Sequence, residues 1–195
     1  SQMTTPSASH PANPDSARVT TVATVLAHAA DLFAERGPAA TSLRDIAARS
    51  GVNQGLIFRY VGNKDQIVGA VLDYLAQELE ATRDAAIEPS TRDAMIERQW
   101  KVLARSVLDG FDPGRLQQRF PHVAMLVERY RDDHRSDVEA RIAVAHTVAL
   151  GLGWRLFGPF LRAAAGLDGL TEAELRQAIA QQTNDLLTGG EDRPR

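Results

Sequence analysis

The chain has 195 residues, with 22 Lys and Arg against 25 Asp and Glu, a formal net charge of -3 and no cysteine. A chain of this length can bury roughly 70% of its unfolded surface in its own core, so it needs no covalent staple. The absence of cysteine excludes a disulfide framework, a thiolate zinc site and a cysteine nucleophile, and it fits the reducing cytoplasm in which we expect the protein to act. The acidic balance argues against a uniformly basic nucleic-acid coat, although net charge averages over domains.

The two ends of the chain are expected to be tails. Residues 1–16 hold Pro6, Pro11 and Pro14 among Ser, Thr and Ala. Such a segment cannot bury enough apolar area to offset the entropy of ordering, so we expect it to be disordered. Its first residues lack the basic start and the apolar stretch of a secretory signal. Residues 191–195 are expected to form a second tail.

The chain offers no segment suited to crossing a membrane. After the first tail, the longest stretch without Asp, Glu, Lys or Arg is residues 142–154, which is 13 residues long. A membrane-spanning helix needs about 20 predominantly apolar residues. We therefore expect no membrane partner.

Apolar residues recur at spacings of three and four along the chain, and no segment shows sustained strand-type alternation, so the chain is predicted to be all-α. Gly37, followed by Pro38, ends the first predicted helix. Ser42 caps the second helix, and Asn63 caps the fourth, with Gln66 three residues further on to complete a capping box. The first four helices are predicted at about residues 18–36, 43–49, 54–60 and 63–86.

The second half of the chain is predicted to contain longer and less standardised helices. Ser136 with Glu139, and Thr171 with Glu174, have the spacing of capping boxes that open the last two helices. Pro159 is expected to kink or divide the first of these two. The buried faces of the two preceding helices are predicted to consist of Ile96, Trp100, Leu103 and Val107, and of Phe120, Val123, Ala124, Val127 and Tyr130.

A helix-turn-helix is predicted over about residues 42–61. Its two helices are each too short to be stable alone, a three-residue turn that contains Gly51 joins them, and a longer helix braces them on either side. In this motif the first helix crosses the phosphate backbone of DNA, and the second lies in the major groove with its N-terminal residues on base edges. A helical hairpin used only for packing is the alternative, but it does not explain the Gln54-Gly55 pair at an exposed position.

Side chains of the motif suit contacts with DNA. Gln54, at the start of the second helix, can donate and accept in a bidentate contact with adenine, and Gly55 lets the backbone approach closely. Leu56 offers an apolar contact to a thymine methyl, while Phe58 and Tyr60 can press on sugar and phosphate. The expected DNA-facing set also includes Ser42, Arg44 and Lys64, which are placed for phosphates, together with Asn53 and Arg59.

The charge of the motif region differs from that of the remaining chain. Residues 18–64 contain six basic and three acidic side chains, a balance of +3, whereas residues 65–195 contain 16 basic and 21 acidic side chains, a balance of -5. The basic part of the chain and the predicted motif coincide, which favours a nucleic-acid partner. The charged residues of the first range are Arg18, Arg36, Arg44, Arg49, Arg59 and Lys64 against Asp31, Glu35 and Asp45.

Over about residues 18–80 the chain resembles the tetracycline-repressor (TetR) family of transcriptional regulators. The resemblance lies in a capped helix, Ile46-Ala47, Gly51-Val52, Gly55-Leu56-Ile57-Phe58, a hydrophobic Val61, Asn63-Lys64 and a long fourth helix. Val61 occupies a position where Phe is common in the family, and Gly62 makes the turn before Asn63 more flexible. The family positions that tend to face DNA match Arg44, Gln54, Gly55, Phe58, Tyr60 and Lys64.

The resemblance implies a repressor that binds a palindromic double-stranded DNA operator as a homodimer and releases it when a small-molecule effector binds. It implies an N-terminal three-helix DNA-binding domain at residues 17–64 and a C-terminal helical domain for effector binding and dimerisation at residues 65–190. Members of the family usually close the dimer as a four-helix bundle from the last two long helices of each subunit. We expect the effector to be apolar.

Two features of the C-terminal part have alternative interpretations. The apolar helix at residues 142–161 is either a central helix within one subunit or a surface between two subunits, and its Ala and Gly residues permit close packing in both cases. Large apolar side chains at helical spacing form either ordinary core or an effector pocket. The residues expected to line that pocket are Trp100, Phe120, Met125, Trp154 and Phe157.

No catalytic, cofactor or metal site is expected. His122, His134 and His146 are spaced by twelve residues and lack the i, i+4 arrangement that places two imidazoles on one turn. The chain also lacks G-x-S-x-G, H-E-x-x-H and a Gly-rich Lys-Ser/Thr loop. The alternatives to a regulator are a protein-interaction adaptor, which would not bind duplex DNA, and an enzyme acting on an apolar substrate, which would show turnover.

Overall fold

The computed structural model describes residues 14–131 and 136–188, and within these ranges it consists of helices and their connections, with no strand. The all-α fold class predicted from the sequence is therefore confirmed. None of the helices in these ranges has both the length and the apolar character that a membrane crossing requires. The nine helices of the described ranges are α1 (Pro14–Arg36), α2 (Leu43–Ser50), α3 (Gln54–Tyr60), α4 (Lys64–Ala81), α5 (Pro89–Leu108), α6 (Pro113–Leu116), α7 (Pro121–Tyr130), α8 (Asp137–Ala164) and α9 (Glu172–Thr188).

The predicted capping boxes are present and explain where several helices begin. At the start of α4 the Asn63 side chain accepts the N–H of Gln66 at 3.0 Å, and the Gln66 side chain accepts the N–H of Asn63 at 2.9 Å. Each exchange satisfies donors that the first turn of a helix leaves without a partner. The same exchange opens α2, α8 and α9 through the pairs Ser42 with Asp45, Ser136 with Glu139, and Thr171 with Glu174.

The predicted N-terminal tail is too long. α1 begins at Pro14, so residues 14–16, the last three of the expected tail, belong to a helix. Proline suits the first turn of a helix because the N–H that it lacks would have no intrahelical partner there. The rest of that tail, residues 1–13, lies outside the described residues, as does the C-terminal tail at 191–195.

Helices α4 and α8 also differ from the prediction. α4 ends at Ala81 rather than near residue 86, and the Thr82 hydroxyl donates to the Leu79 carbonyl at 2.7 Å at this end. α8 continues through Pro159 and is not divided there. Pro159 lacks the N–H that would bond to the carbonyl of Arg155, but Arg155 lies at the surface, where water can satisfy that carbonyl.

The buried face of α5 is not the predicted one at its C-terminal end. The sequence pattern predicts that Val107 is buried, but it is 56% exposed. Val102 and Ser106 are the buried residues of α5. These two positions are four apart and share one side of the helix, while Val107 is turned about 100° away from Ser106 at 3.6 residues per turn.

The larger core lies between α1, α4 and α5, and it also receives α2 and α3. Each of the two short helices contributes one almost fully buried side chain, Ile46 from α2 and Ile57 from α3. Because α4 and α5 share this core with α1, the packing has no break at the predicted domain limit near residue 64. The buried members are Val25, Leu26, Ala29, Ala30, Leu32, Phe33, Ile46, Ile57, Ile67, Val68, Val71, Leu72, Leu75 and Val102.

A smaller core joins α7, α8 and α9 through Val127, Val144 and Leu187. Although α8 has 28 residues, its buried residues are Ala140 and Val144, both in its first third. The remaining two thirds of this apolar helix therefore lie partly or fully at the surface of the single chain.

Three residues, Gly37, Thr41 and Ala39, fix the turn between α1 and α2. Gly37 follows α1 with a φ of 84°, in the left-handed region that favours glycine. Thr41 is 1% exposed, and its hydroxyl donates to the Gly37 carbonyl at 2.8 Å. The N–H of Ala39 donates to the Asp109 carboxylate at 2.8 Å, so the C-terminal end of α5 also holds the turn. This turn sets the start of α2.

Replacing Thr41 with valine is expected to lower the free energy of unfolding by about 1–2 kcal/mol, because the buried Gly37 carbonyl loses a hydrogen bond while the shape is kept. The matched control is Thr24→Val, since Thr24 also donates to a carbonyl four residues earlier, at 2.9 Å, but at an exposed position. We expect the control to change stability by less than about 0.5 kcal/mol. Urea unfolding followed by circular dichroism measures both, and equal losses would show that the Thr41 bond has no special role.

Candidate nucleic-acid interface

The motif predicted at residues 42–61 is present as α2, a tight turn and α3. Gly51 ends α2 with a φ of 69°, a left-handed conformation in which glycine carries little strain. Asn53 then caps α3, and its Oδ1 accepts the N–H of Gly55 at 2.8 Å. Residues 51–53 thus form the three-residue turn of a helix-turn-helix.

Four apolar residues of the motif pack inward. Ile46 is 0% and Ile57 is 1% exposed, and Ala47 and Val52 pack against the same core. This packing fixes which side of each short helix faces outward, because side chains on a helix repeat every 3.6 residues.

The outward face of α3 carries the side chains expected to contact DNA. Leu56 is 39% and Phe58 is 60% exposed, and Gln54, Gly55 and Arg59 also lie at the surface. A Phe in this position leaves apolar area in water that a partner surface would cover. Gln54 and Phe58 are four residues apart, so a polar and an aromatic group lie next to each other on one side of the helix.

Gly55 has two roles in this geometry. A Cβ at Gly55 would lie 3.1 Å from the Asn53 Oδ1, the oxygen that caps the helix. The glycine therefore permits the cap to close, in addition to the close approach to a ligand that the sequence predicts. The cap engages the side-chain oxygen of Asn53, which leaves its amide N–H groups available to DNA.

Ser42 and Arg44 lie at the first turn of α2 in different surroundings. The Ser42 hydroxyl and N–H both donate to the Asp45 carboxylate at 2.8 Å, so the capping box already uses both donors. These hydrogen bonds lower the pKa of Asp45, and the backbone bond has a larger effect than the hydroxyl bond. The charge of Arg36 lowers this pKa further. Arg44 is exposed, and no ion pair links it to any other described residue.

The three acidic side chains of residues 18–64 are all paired within the chain. Arg49 binds Glu35 through two hydrogen bonds of 2.7 and 2.8 Å, which are the first cause of the lowered pKa of Glu35. Each of the other two acidic residues also has a basic partner, and the pairs are Asp45 with Arg36 at 3.1 Å and Asp31 with Arg98 of α5 at 2.7 Å. The basic residues of 18–64 that form no ion pair with another described residue are Arg18, Arg44, Arg59 and Lys64.

Lys64 occupies the first position of α4 and is half-buried. Its ammonium lies 5.7 Å from the centre of the Phe33 ring. Burial lowers the pKa of Lys64, and the charge of Arg36 acts in the same direction, against the opposing effects of Asp45 and Asp109. The aromatic ring thus lies beside a partly desolvated cation at the N-terminal end of the helix that follows the motif.

Tyr60 is the last residue of α3 and is half-buried. The Arg18 guanidinium of α1 lies over its ring, with the carbon Cζ 5.4 Å from the ring centre. This contact joins the first turns of α1 to the far end of α3, and no local pattern in the sequence predicts it.

The residues expected to line an effector pocket are distributed over α5, α7 and α8. Trp100, Met125 and Trp154 are half-buried, whereas Phe120 and Phe157 are 42% and 57% exposed. Phe120 occupies the N-cap position of α7, without a capping hydrogen bond from its side chain, and does not contribute to the buried face of the helix. None of the five belongs to either cluster of buried residues in the described chain, and the pocket stays a prediction.

The contacts that tie the motif region to the later helices were missed from the sequence. Gln118 and Arg119, just before α7, donate their N–H groups to the Asp73 carboxylate of α4 at 2.9 to 3.2 Å. Gly69 of α4 packs so closely that an added Cβ would lie 2.2 Å from the Leu116 carbonyl oxygen of α6. Local sequence patterns do not reveal such contacts, because their partners are more than 40 residues apart. The described residues contain no cluster of His, Asp or Glu suited to a metal ion.

Comparison with known proteins agrees with this geometry. Residues 25–71, which run from α1 through the motif into α4, match the family described as bacterial regulatory proteins, tetR family. The chain is 54% identical over 157 residues to the HTH-type transcriptional regulator Mb3439c of Mycobacterium bovis. The aligned residues cover 80% of this chain and 84% of that protein. It has the same identity and coverage to the HTH-type transcriptional repressor Rv3405c of Mycobacterium tuberculosis. The chain therefore belongs to the tetR family of bacterial regulatory proteins and is a helix-turn-helix transcriptional regulator.

Proposed function

We propose that this regulator is a repressor that binds a palindromic DNA operator as a homodimer and releases it when a small apolar molecule binds to its C-terminal helices. The observation that carries the proposal is the outward face of α3, where Gln54 and the exposed Phe58 lie together beside basic residues that form no ion pair in the described chain. The relative from Mycobacterium tuberculosis that is named a repressor supports the direction of regulation.

Each exposed group of the motif has a chemical complement on DNA. Gln54 matches the adenine edge in the major groove, and Leu56 matches a thymine methyl. Arg44 and Lys64 flank α3 on the preceding and the following helix, where phosphate contacts fix the position of a protein on the duplex. Base discrimination is therefore assigned to the start of α3 and general affinity to the flanking cations.

An exposed apolar stripe on α8 supports the homodimer. Its members follow one another at intervals of three or four residues, which places them on one side of the helix. Phe157 and Phe160 in this stripe are 57% and 67% exposed, an unusual state for two large apolar side chains on one helix. A second copy of the chain would bury them and would present two α3 helices to successive major grooves. The stripe consists of the exposed residues Val138, Ile142, Ala145, Ala149, Phe157 and Phe160 and the half-buried Gly153.

The proposed effector would bind near the half-buried residues of α5, α7 and α8. Trp100, Met125 and Trp154 supply apolar and aromatic surface in this region, and neither core takes them up. An effector can shift the protein away from its DNA-binding state only if it binds the two states with different affinity. α4 belongs to the larger core and also accepts the hydrogen bonds of the segment before α7, so it is the proposed link.

Selection of random duplexes on the purified protein is expected to recover a palindrome. The two half-sites should lie about 10 base pairs, or about 34–36 Å, apart or at a multiple of that spacing, because a symmetric dimer presents its two α3 helices one helical turn apart. An asymmetric or single half-site would contradict the dimeric mode of binding, and the absence of any enriched duplex would contradict sequence-specific DNA binding.

Three variants are expected to separate affinity from base discrimination. Arg44→Ala and Lys64→Ala should weaken binding to every duplex and reduce the slope of log affinity against log salt by about 0.9 per lost phosphate contact. Gln54→Ala should cost about 1–3 kcal/mol on the selected operator and little on a random duplex. Fluorescence anisotropy at several salt concentrations measures both effects.

The control for these variants is Lys101→Ala, which removes a cation that is already paired with Glu97 on α5. It should leave both the affinity and the salt slope unchanged. If Arg44→Ala and Lys64→Ala behave like this control, or if Gln54→Ala weakens all duplexes equally, the assignment of contacts is wrong.

Phe160→Glu is expected to convert the dimer into monomers and to weaken operator binding, because it places a charge in the proposed apolar interface. Phe160 is 67% exposed in the single chain, so the fold of the subunit should tolerate the change. Leu108→Glu is the matched control, since Leu108 is 85% exposed on α5. Sedimentation equilibrium at micromolar concentration should show monomers for the first variant alone, and a persistent dimer would exclude this face of α8.

A further inference from the structure

Arg18 lies outside the predicted motif, yet it meets the end of the helix that the motif presents to DNA. Its guanidinium carbon is 5.4 Å from the ring centre of Tyr60, the C-terminal residue of α3. Arg18 is exposed, and it forms no ion pair with a carboxylate of the described residues. The contact therefore joins a charged, accessible group of α1 to the edge of the proposed DNA-binding face.

The contact with the ring leaves the N–H donors of the Arg18 guanidinium without a hydrogen-bond or ion-pair partner among the described residues. The attraction of a guanidinium to the face of a ring is electrostatic and uses none of its five N–H donors, which lie in the plane of the group. Such a planar fork matches the oxygens of a phosphate in a bidentate contact. Because the ring restricts the long side chain before binding, less conformational entropy is lost when a phosphate is bound.

Arg18 is one of four basic side chains around the motif that form no ion pair with a described residue. Arg44 lies on α2, Arg59 on α3 and Lys64 at the start of α4, and none of them is ion-paired within the described residues. Lys64 repeats the arrangement of Arg18, with its charge 5.7 Å from the Phe33 ring. The region thus holds two cations on aromatic supports, one on each of the long helices that flank the motif.

We propose that Arg18 binds a backbone phosphate of the operator and that the Tyr60 ring positions it, so that the DNA-binding surface includes the N-terminal turns of α1. This assignment rests on the proposed DNA-binding function and adds to it a contact outside the helix-turn-helix. Arg18 contributes affinity for any duplex, because a phosphate carries no sequence information.

The test is the salt dependence of binding to two fluorescein-labelled duplexes, the selected operator and a random sequence, between about 50 and 200 mM salt. Arg18→Ala should flatten the slope of log affinity against log salt by about 0.9 per subunit on both duplexes. Arg18→Lys should keep the slope of the parent protein but bind more weakly, since an ammonium keeps the charge and lacks the planar fork. Thermal unfolding establishes that each variant is folded.

The matched control is Arg129→Ala, because Arg129 lies over the Tyr130 ring at 5.6 Å on α7, outside the motif region. It removes the same charge from the same kind of aromatic contact, and it should leave the slope unchanged. An equal flattening by both variants would show that only net charge matters and would overturn the assignment. A purely structural role of Arg18 would lower the unfolding temperature without changing the slope, which would also overturn it.

A double-mutant cycle tests the positioning role of the ring. Tyr60→Phe keeps the ring, so Arg18→Ala should have its full effect in that background. Tyr60→Leu removes the ring, and the effect of Arg18→Ala on affinity should then shrink; an undiminished effect would exclude positioning by Tyr60. If the parent protein shows no salt-dependent binding to either duplex, the DNA-binding function and the Arg18 contact both fail. If the parent binds and Arg18→Ala keeps its slope, the Arg18 contact alone fails.

Discussion

The burial of Ile46 and Ile57 against the core that contains Phe33 is the contact on which the DNA-binding face depends. α2 and α3 have eight and seven residues, and isolated helices shorter than about 12 residues are marginal in water. Full burial of one such side chain contributes about 1.5–3 kcal/mol. Because Ile57 points inward, the next residue, Phe58, is turned about 100° away from the core, and Gln54 is exposed at the first position of the same helix. The orientation of the functional side chains is thus a consequence of core packing.

Ion pairing within the chain decides which charges the motif can offer to DNA. Arg49 and Arg36 are engaged by Glu35 and Asp45, and the third acidic residue of the region, Asp31, is bound by Arg98 from α5. A cation supplied by the C-terminal part therefore compensates an acidic charge of the N-terminal part, which leaves local cations unpaired. The net charge of -3 gives no sign of this arrangement, since it sums over both parts of the chain.

Local features of the fold were predictable, whereas features that depend on distant partners were not. The capping box of Asn63 and the turn at Gly51 were recognisable because each rests on residues within four positions of one another. The contact of Arg18 with Tyr60 spans 42 positions of the chain, and no periodicity encodes it. Val107 was misplaced for a related reason, since spacing marks a helical stripe but the neighbouring helices decide which part of it is covered.

The packing also determines how a change in the C-terminal helices can reach the motif. α6 is held against α4 at Gly69, and the segment that follows is held by Asp73, so displacement of this segment has to carry α4 with it or break those bonds. Asp109, at the end of α5, binds the N–H of Ala39 in the turn before α2. α5 therefore reaches the motif without passing through α4. α4 and α5 are thus connected to two sides of α2 and α3. A movement of α5 relative to α4 would change the orientation of the motif. A movement of α4 and α5 together would leave the motif in the same position relative to these two helices.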